Sequence, residues 1–120
     1  MNICIIGDGL TGLSLAKNLI NKKINVHMYY EHKIKNLSSS RTIGISKSNF
    51  NFFKKEIYNI SKKNFWEINR IEIYSEKSKN QKILEFENNQ QNLFYLVKNN
   101  ELCRSLKKEI SRNNYYKAKL

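Results

Sequence analysis

The chain opens on an apolar run, Ile3, Cys4, Ile5 and Ile6. Continuous apolarity over so short a stretch predicts a strand at 2–6 that is covered on both faces, as in a parallel sheet. From Leu10 the spacing changes, and Leu13, Leu15, Ala16, Leu19 and Ile20 recur at helical intervals as far as Lys22. Lys22 and Lys23 would then meet the negative end of the helix dipole. "INVHMYY" reads as a second strand that closes at Glu31. Strand, glycine turn, helix and strand within about 30 residues make a βαβ unit, and such crossovers are nearly always parallel and right-handed.

Past Glu31 the pattern loosens. "HKIKNLSSS" (32–40) is a polar loop and "RTIGIS" (41–46) a short extended piece. "KSNFNFFKKEIYNI" (47–60) predicts an amphipathic helix presenting Phe50, Phe53 and Ile57. Three strands follow with short polar connections: "INRIEIYSE" (68–76), alternating Ile68, Ile71 and Ile73 over part of its length, "KILEFE" (82–87) around Leu84 and Phe86, and "NLFYLVK" (92–98). This arrangement predicts an antiparallel meander. After Asn99 or Asn100 as N-cap, "ELCRSLKKEISR" sets Leu102, Leu106 and Ile110 four apart on one face with Glu101 in the first turn, a helix signature. "YYKAKL" (115–120) begins a further strand. The fold class expected is α/β, a Rossmann-type βαβ start followed by the meander and a helix, with the domain incomplete. No internal repeat, proline or Gly/Ser linker marks a domain boundary.

The net charge of +12 and isoelectric point near 9.8 would ordinarily suggest a nucleic acid or an anionic membrane as partner. The excess, however, is 18 Lys against 4 Arg, spread along the chain beside 18 Asn and 15 Ile. That bias is what an A+T-rich coding sequence produces, so the expectation is a solvated basic surface and no specific nucleic acid. The lysine pairs at 54–55, 62–63 and 107–108 read as solvated helix faces, and "FNFF", Trp66 and the "YY" pairs as core. Cys4 and Cys103 lack CxxC spacing or a nearby His and read as small core residues in a reducing compartment. The opening run is too short to span a membrane and lacks the flanks of a signal peptide, which makes the cytoplasm the default location. His27 and His32 have no nucleophile or ligand at a diagnostic spacing, so no catalytic residue and no metal site is expected.

Gly7, Gly9 and Gly12 fit G-x-G-x-x-G between strand and helix. The first glycine permits the tight turn, the second removes a side chain where a pyrophosphate approaches the backbone, and the third lets helix and strand pack closely. Phosphates would then rest on the helix start, at Leu10 and Thr11, where free N–H groups favour negative charge. Glu31, roughly 20 residues on, is placed to hold a ribose hydroxyl and would repel a 2′-phosphate. Asp8 reads as a turn residue. The βαβ unit alone does not separate FAD from NAD.

"GDGLTGLSLAKNL", then "YYEHK", then Arg41 in "SSSRTIGISKSNFNFF", then "LFYLVKNNELCRSL" together resemble the N-terminal third of the flavoprotein aromatic-ring hydroxylases. This is the group of para-hydroxybenzoate hydroxylase, and the sequence is most similar to its ubiquinone-biosynthesis branch, over nearly all of the 120 residues. The resemblance implies FAD with its pyrophosphate at Gly7, Gly9 and Gly12, its adenosine ribose at Glu31, Arg41 near the cofactor and Arg104 as a further contact. It makes residues 1–120 the N-terminal portion of an FAD-binding domain, with 68–97 contributing strands to a substrate-domain sheet. It also implies NAD(P)H as reductant, a small aromatic or quinone-precursor substrate, and peripheral association with a membrane. The chemistry would reside in the flavin, with the protein positioning the ring and excluding water. Such hydroxylases carry two further signatures, one with an Asp-Gly pair near the middle of their chain and a later one with Gly-Asp, at positions that these 120 residues do not reach, so the chain alone is expected to be inactive. The alternatives are another FAD- or NAD-dependent oxidoreductase with a Rossmann start, a small basic binding module, or a truncated product without function.

Overall fold

A computed structural model describes residues 1–31, 41–76, 81–87 and 92–119; the expected loop at 32–40 lies outside them. Strand β1 (Asn2–Ile6), helix α1 (Leu10–Asn21) and strand β2 (Asn25–Tyr29) form the expected βαβ unit. β1 and β2 pair in parallel from Asn2 opposite Asn25 to Ile6 opposite Tyr29. Then come β3 (Thr42–Ser46), α2 (Lys47–Phe52), β4 (Phe65–Ile68), β5 (Arg70–Tyr74), β6 (Lys82–Glu87), β7 (Phe94–Lys98), α3 (Asn99–Ile110) and β8 (Tyr116–Lys119). β8 is the strand foreseen in "YYKAKL", and it extends the parallel sheet on the far side of β2.

α1 and α3 cover one face of that sheet. Leu13, Ala16, Val26, Met28 and Leu106 are fully buried between them, with Ile5, Ile20 and Ile110 nearly so. Burial of each of the Val, Leu, Ile and Met side chains among them contributes about 1.5–3 kcal/mol, which is what holds the helices onto the sheet. On the opposite face the described residues provide no such cover. Cys4 is exposed and Ile6 is 87% exposed. The expectations that β1 is covered on both faces and that Cys4 belongs to the core are therefore corrected: the register sets Cys4 beside His27 and Ile6 beside Tyr29, on the face away from the helices. Cys103 is half-buried against the core.

The expected meander is divided. β5 and β6 form a separate antiparallel hairpin, whereas β7 lies between β3 and β4 in a second antiparallel sheet. The division falls at Asn69: Ile68 ends β4, while Ile71 and Ile73 belong to β5. Ile68 and Ile71 are three apart, which breaks the period of two that one continuous strand requires. A core of Phe50, Ile60, Phe65, Tyr95, Val97 and Leu102 packs the second sheet, with Phe50 stacked on Tyr95 at 4.1 Å and edge-on to Phe65 at 4.8 Å. Leu10, Phe53 and Tyr58 touch both cores.

The helix expected at 47–60 is shorter. Ser46 caps it by accepting from the Asn49 N–H, but after Phe52 the chain widens into a π turn, Phe53–Ile57, closed by the Tyr58 N–H donating to Phe53 O at 2.9 Å. Phe50 is buried, and Phe53 and Ile57 are half-buried. In α3, Asn99 and Asn100 are helical residues rather than caps, and Lys98 takes the cap position. The Lys98 side chain makes no cap hydrogen bond, and the first helical N–H, that of Asn99, donates to Arg41 O at 2.8 Å. Of the aromatic residues expected in the core, Phe52 and Trp66 are 57% and 47% exposed, the latter beneath the Lys98 ammonium. Among the described residues no helix is long and apolar enough to cross a membrane.

Candidate functional site: the glycine turn

Each of the three glycines at the end of β1 answers a different physical demand. Gly7 sits at φ +100°, a region that L side chains rarely adopt, and its N–H donates to Tyr29 O at 2.7 Å, tying the turn to the end of β2. Gly12 faces the opposite constraint, since a Cβ there would lie 2.4 Å from Gly7 O. Any side chain would push α1 off the turn. Gly9 is the N-cap of α1, with extended backbone, and its carbonyl accepts the Leu13 N–H at 2.9 Å. A Cβ on Gly9 would meet no atom within 4 Å. Packing does not require a glycine there, so the open space in front of it is free for a ligand's closest approach.

The first-turn N–H groups of a helix have no intrahelical carbonyl to bind and carry the positive end of its dipole. In α1 that turn comprises Leu10, Thr11 and Gly12 and holds no acidic residue. Leu10 is half-buried at the seam of the two cores, and Thr11 is exposed. Glu31, exposed, follows β2 two residues beyond the Tyr29 carbonyl that receives the Gly7 N–H. The five residues from Gly7 to Gly12 that were singled out thus form one turn, with Glu31 at the end of the adjacent strand. Arg41 and Arg104 are placed differently. Arg41 ends at the junction of β3 and α3 through its bond to Asn99, and Arg104 stands farther along α3; both are exposed.

One further residue stands at the turn that no local sequence pattern points to. Lys107 of α3, read as part of a solvated lysine pair, sets its ammonium 2.6 Å from Asp8 Oδ2 and 5.4 Å from the centre of the Tyr30 ring. Asp8 and Lys107 are 99 positions apart, so no local pattern links them. An ion pair between the two helices, Lys17 with Glu109 at 3.5 Å, joins α1 to α3. Tyr116 joins this neighbourhood. Burial, with Tyr30 and Asp8 nearby, raises its phenol above the ordinary value, and the hydroxyl donates to Met28 Sδ at 3.7 Å. His27 lies half-buried in β2, and His32 falls outside the described residues. No group of three or more His, Cys, Asp or Glu among the described residues could hold a metal.

No family model and no curated protein matches the chain. Solved structures do. The p-nitrophenol 4-monooxygenase PnpA from Pseudomonas putida superposes with a TM-score of 0.78 at 11% identity, over 98% of this chain and 32% of its own. PqsL of Pseudomonas aeruginosa, solved with 2-aminobenzoylacetate, gives 0.77 at 12% identity over 98% and 33%. CtdE, solved with FAD and a substrate, gives 0.74 at 15% identity over 98% and 30%. The chain therefore has the fold of one part of these structures and spans about a third of their length.

Proposed function

We propose that the glycine turn binds the diphosphate of FAD and that the chain is the N-terminal, FAD-binding portion of a flavin-dependent monooxygenase. The observation that supports this best is the division of roles among the glycines: φ at Gly7 and crowding at Gly12 explain two of them by folding alone, whereas Gly9 has open space before it at the head of a helix. A nucleotide diphosphate accounts for the third. In this reading Gly9, Leu10 and Thr11 present backbone to the phosphates, Gly12 keeps the helix end close, and Glu31 accepts from the adenosine ribose. Arg41 and Arg104 are assigned to the cofactor from the α3 side, where a planar, permanently charged fork suits phosphate or a ring carbonyl.

Bound FAD would supply the redox chemistry; the residues of this chain would bind and orient it. An aromatic ring, such as that of a quinone precursor, is the proposed substrate class, with NAD(P)H as reductant. The strands between 68 and 97 are assigned to the sheet facing that substrate. Flavin fluorescence during titration of the protein with FAD tests the site. Gly9→Val should abolish binding by placing a branched side chain in the open space, and Glu31→Arg should weaken it at least about tenfold. A Gly9→Val protein that binds FAD like the wild type overturns the assignment.

A further inference from the structure

The carboxylate of Asp8 lies within the glycine turn, between Gly7 and Gly9, where a ligand diphosphate would bring at least two negative charges. Left unpaired, such a group opposes the anion and competes with it for the positive end of α1. The side chain keeps 24% of its surface accessible, so it is only partly screened by water. The structure answers this charge from a distant part of the chain. Lys107 Nζ takes Asp8 Oδ2 at 2.6 Å, and the Tyr30 ring, 5.4 Å away at the end of β2, steadies the ammonium from another side. Lys107 follows the fully buried Leu106, and the Lys17–Glu109 pair braces α3 against α1 nearby, so the ammonium is carried on an anchored helix.

From this geometry we infer that Lys107 is a positioning residue of the anion site. Its ammonium neutralises Asp8 and draws the carboxylate toward α3, leaving the turn able to accept a diphosphate. The inference rests on the diphosphate reading of the turn and adds a charge-compensation requirement that the glycine motif does not contain.

The test uses ADP and FAD as probes, with affinity measured by calorimetry for the wild type, Lys107→Met, Lys107→Arg, Asp8→Asn and the double variant Asp8→Asn/Lys107→Met. Thermal unfolding of each protein shows that the fold is kept. Lys107→Met should weaken both probes about tenfold, Lys107→Arg should leave them nearly unchanged, and adding Asp8→Asn to Lys107→Met should restore most of the loss. A purely structural strut does not give this rescue, because removing Asp8 cannot rebuild a lost contact. If Lys107→Met binds as the wild type does, or if the double variant stays as weak as Lys107→Met, neutralisation of Asp8 is wrong. Should the wild type bind neither probe, the diphosphate reading itself fails and this inference falls with it.

Discussion

Ile5 of β1 and Ile73 of β5 are both isoleucines on the apolar side of a strand, yet Ile5 is 7% exposed and Ile73 43%. The difference lies in what covers them. Ile5 faces α1 and α3 across the parallel layer, where Leu13 and Leu106 are wholly buried. Ile73 belongs to the β5–β6 hairpin, whose apolar side, Ile71 and Ile73 opposite Phe86 and Leu84, has Leu84 and Phe86 about half exposed. The hairpin's other side is a charge ladder. Arg70 and Lys82 each bridge Glu72 and Glu85, and Tyr74 donates to Glu72. A register shift between Ile73 and Tyr74 brings Lys82 opposite Tyr74 and onto that charged side. One region is held by burial and the other by exposed ion pairs, which contribute little individually. The candidate site sits in the first.

Truncation breaks the contrast most severely. Leu106→Ala should cost about 2–5 kcal/mol, since it empties a fully enclosed position between the helices and the sheet; denaturant unfolding measures it. Gly12→Ala should cost about 1–3 kcal/mol by forcing a Cβ against the Gly7 carbonyl, with the same readout. A change near zero there would mean that the turn and α1 are not in close contact. Leu84→Ala, the same chemistry as Leu106→Ala on the half-exposed hairpin, should shift stability by less than about 0.5 kcal/mol. A loss comparable with that of Leu106→Ala would show that the hairpin's apolar side is covered in solution.

Acid should separate the regions more gently. Hydrogen bonds from Lys82 hold the Glu72 and Glu85 carboxyls below their ordinary value. For a depressed carboxyl the stabilisation is present above the unfolded-state value and is lost as the pH falls through the folded one. Amide exchange in 70–74 and 82–87 should therefore speed up on acidification before that of the parallel layer does, after allowance for the intrinsic rate. Simultaneous loss of protection in both regions would show that the ladder adds nothing local.

How far the sequence reveals this molecule follows the same division. The βαβ unit is legible because each of its signals is local: an apolar run, glycines at fixed spacing, and a helical period from Leu13 to Ile20. The helix through Leu102, Leu106 and Ile110 is legible for the same reason. The second sheet is not, because it pairs Gly44 with Leu96 and Trp66 with Leu96 across long stretches of chain, and only the break of period between Ile68 and Ile71 hints at a boundary. Cys4 and Ile6 mislead because an apolar side chain shows hydrophobicity but not whether a layer lies over it. At the site, the glycine turn and the position of Glu31 are visible in the sequence, whereas the approach of Lys107 to Asp8 depends on how α3 packs.

Binding of the FAD diphosphate at the head of α1 is tested most directly by mapping backbone amide shifts in the isotope-labelled protein during titration with FAD. The amides of residues 7–13 and of Glu31 should move together and saturate, with those of the β5–β6 hairpin unchanged. Absence of any change in 7–13 at saturating FAD, or movement confined to the lysine-rich surface, would contradict the claim.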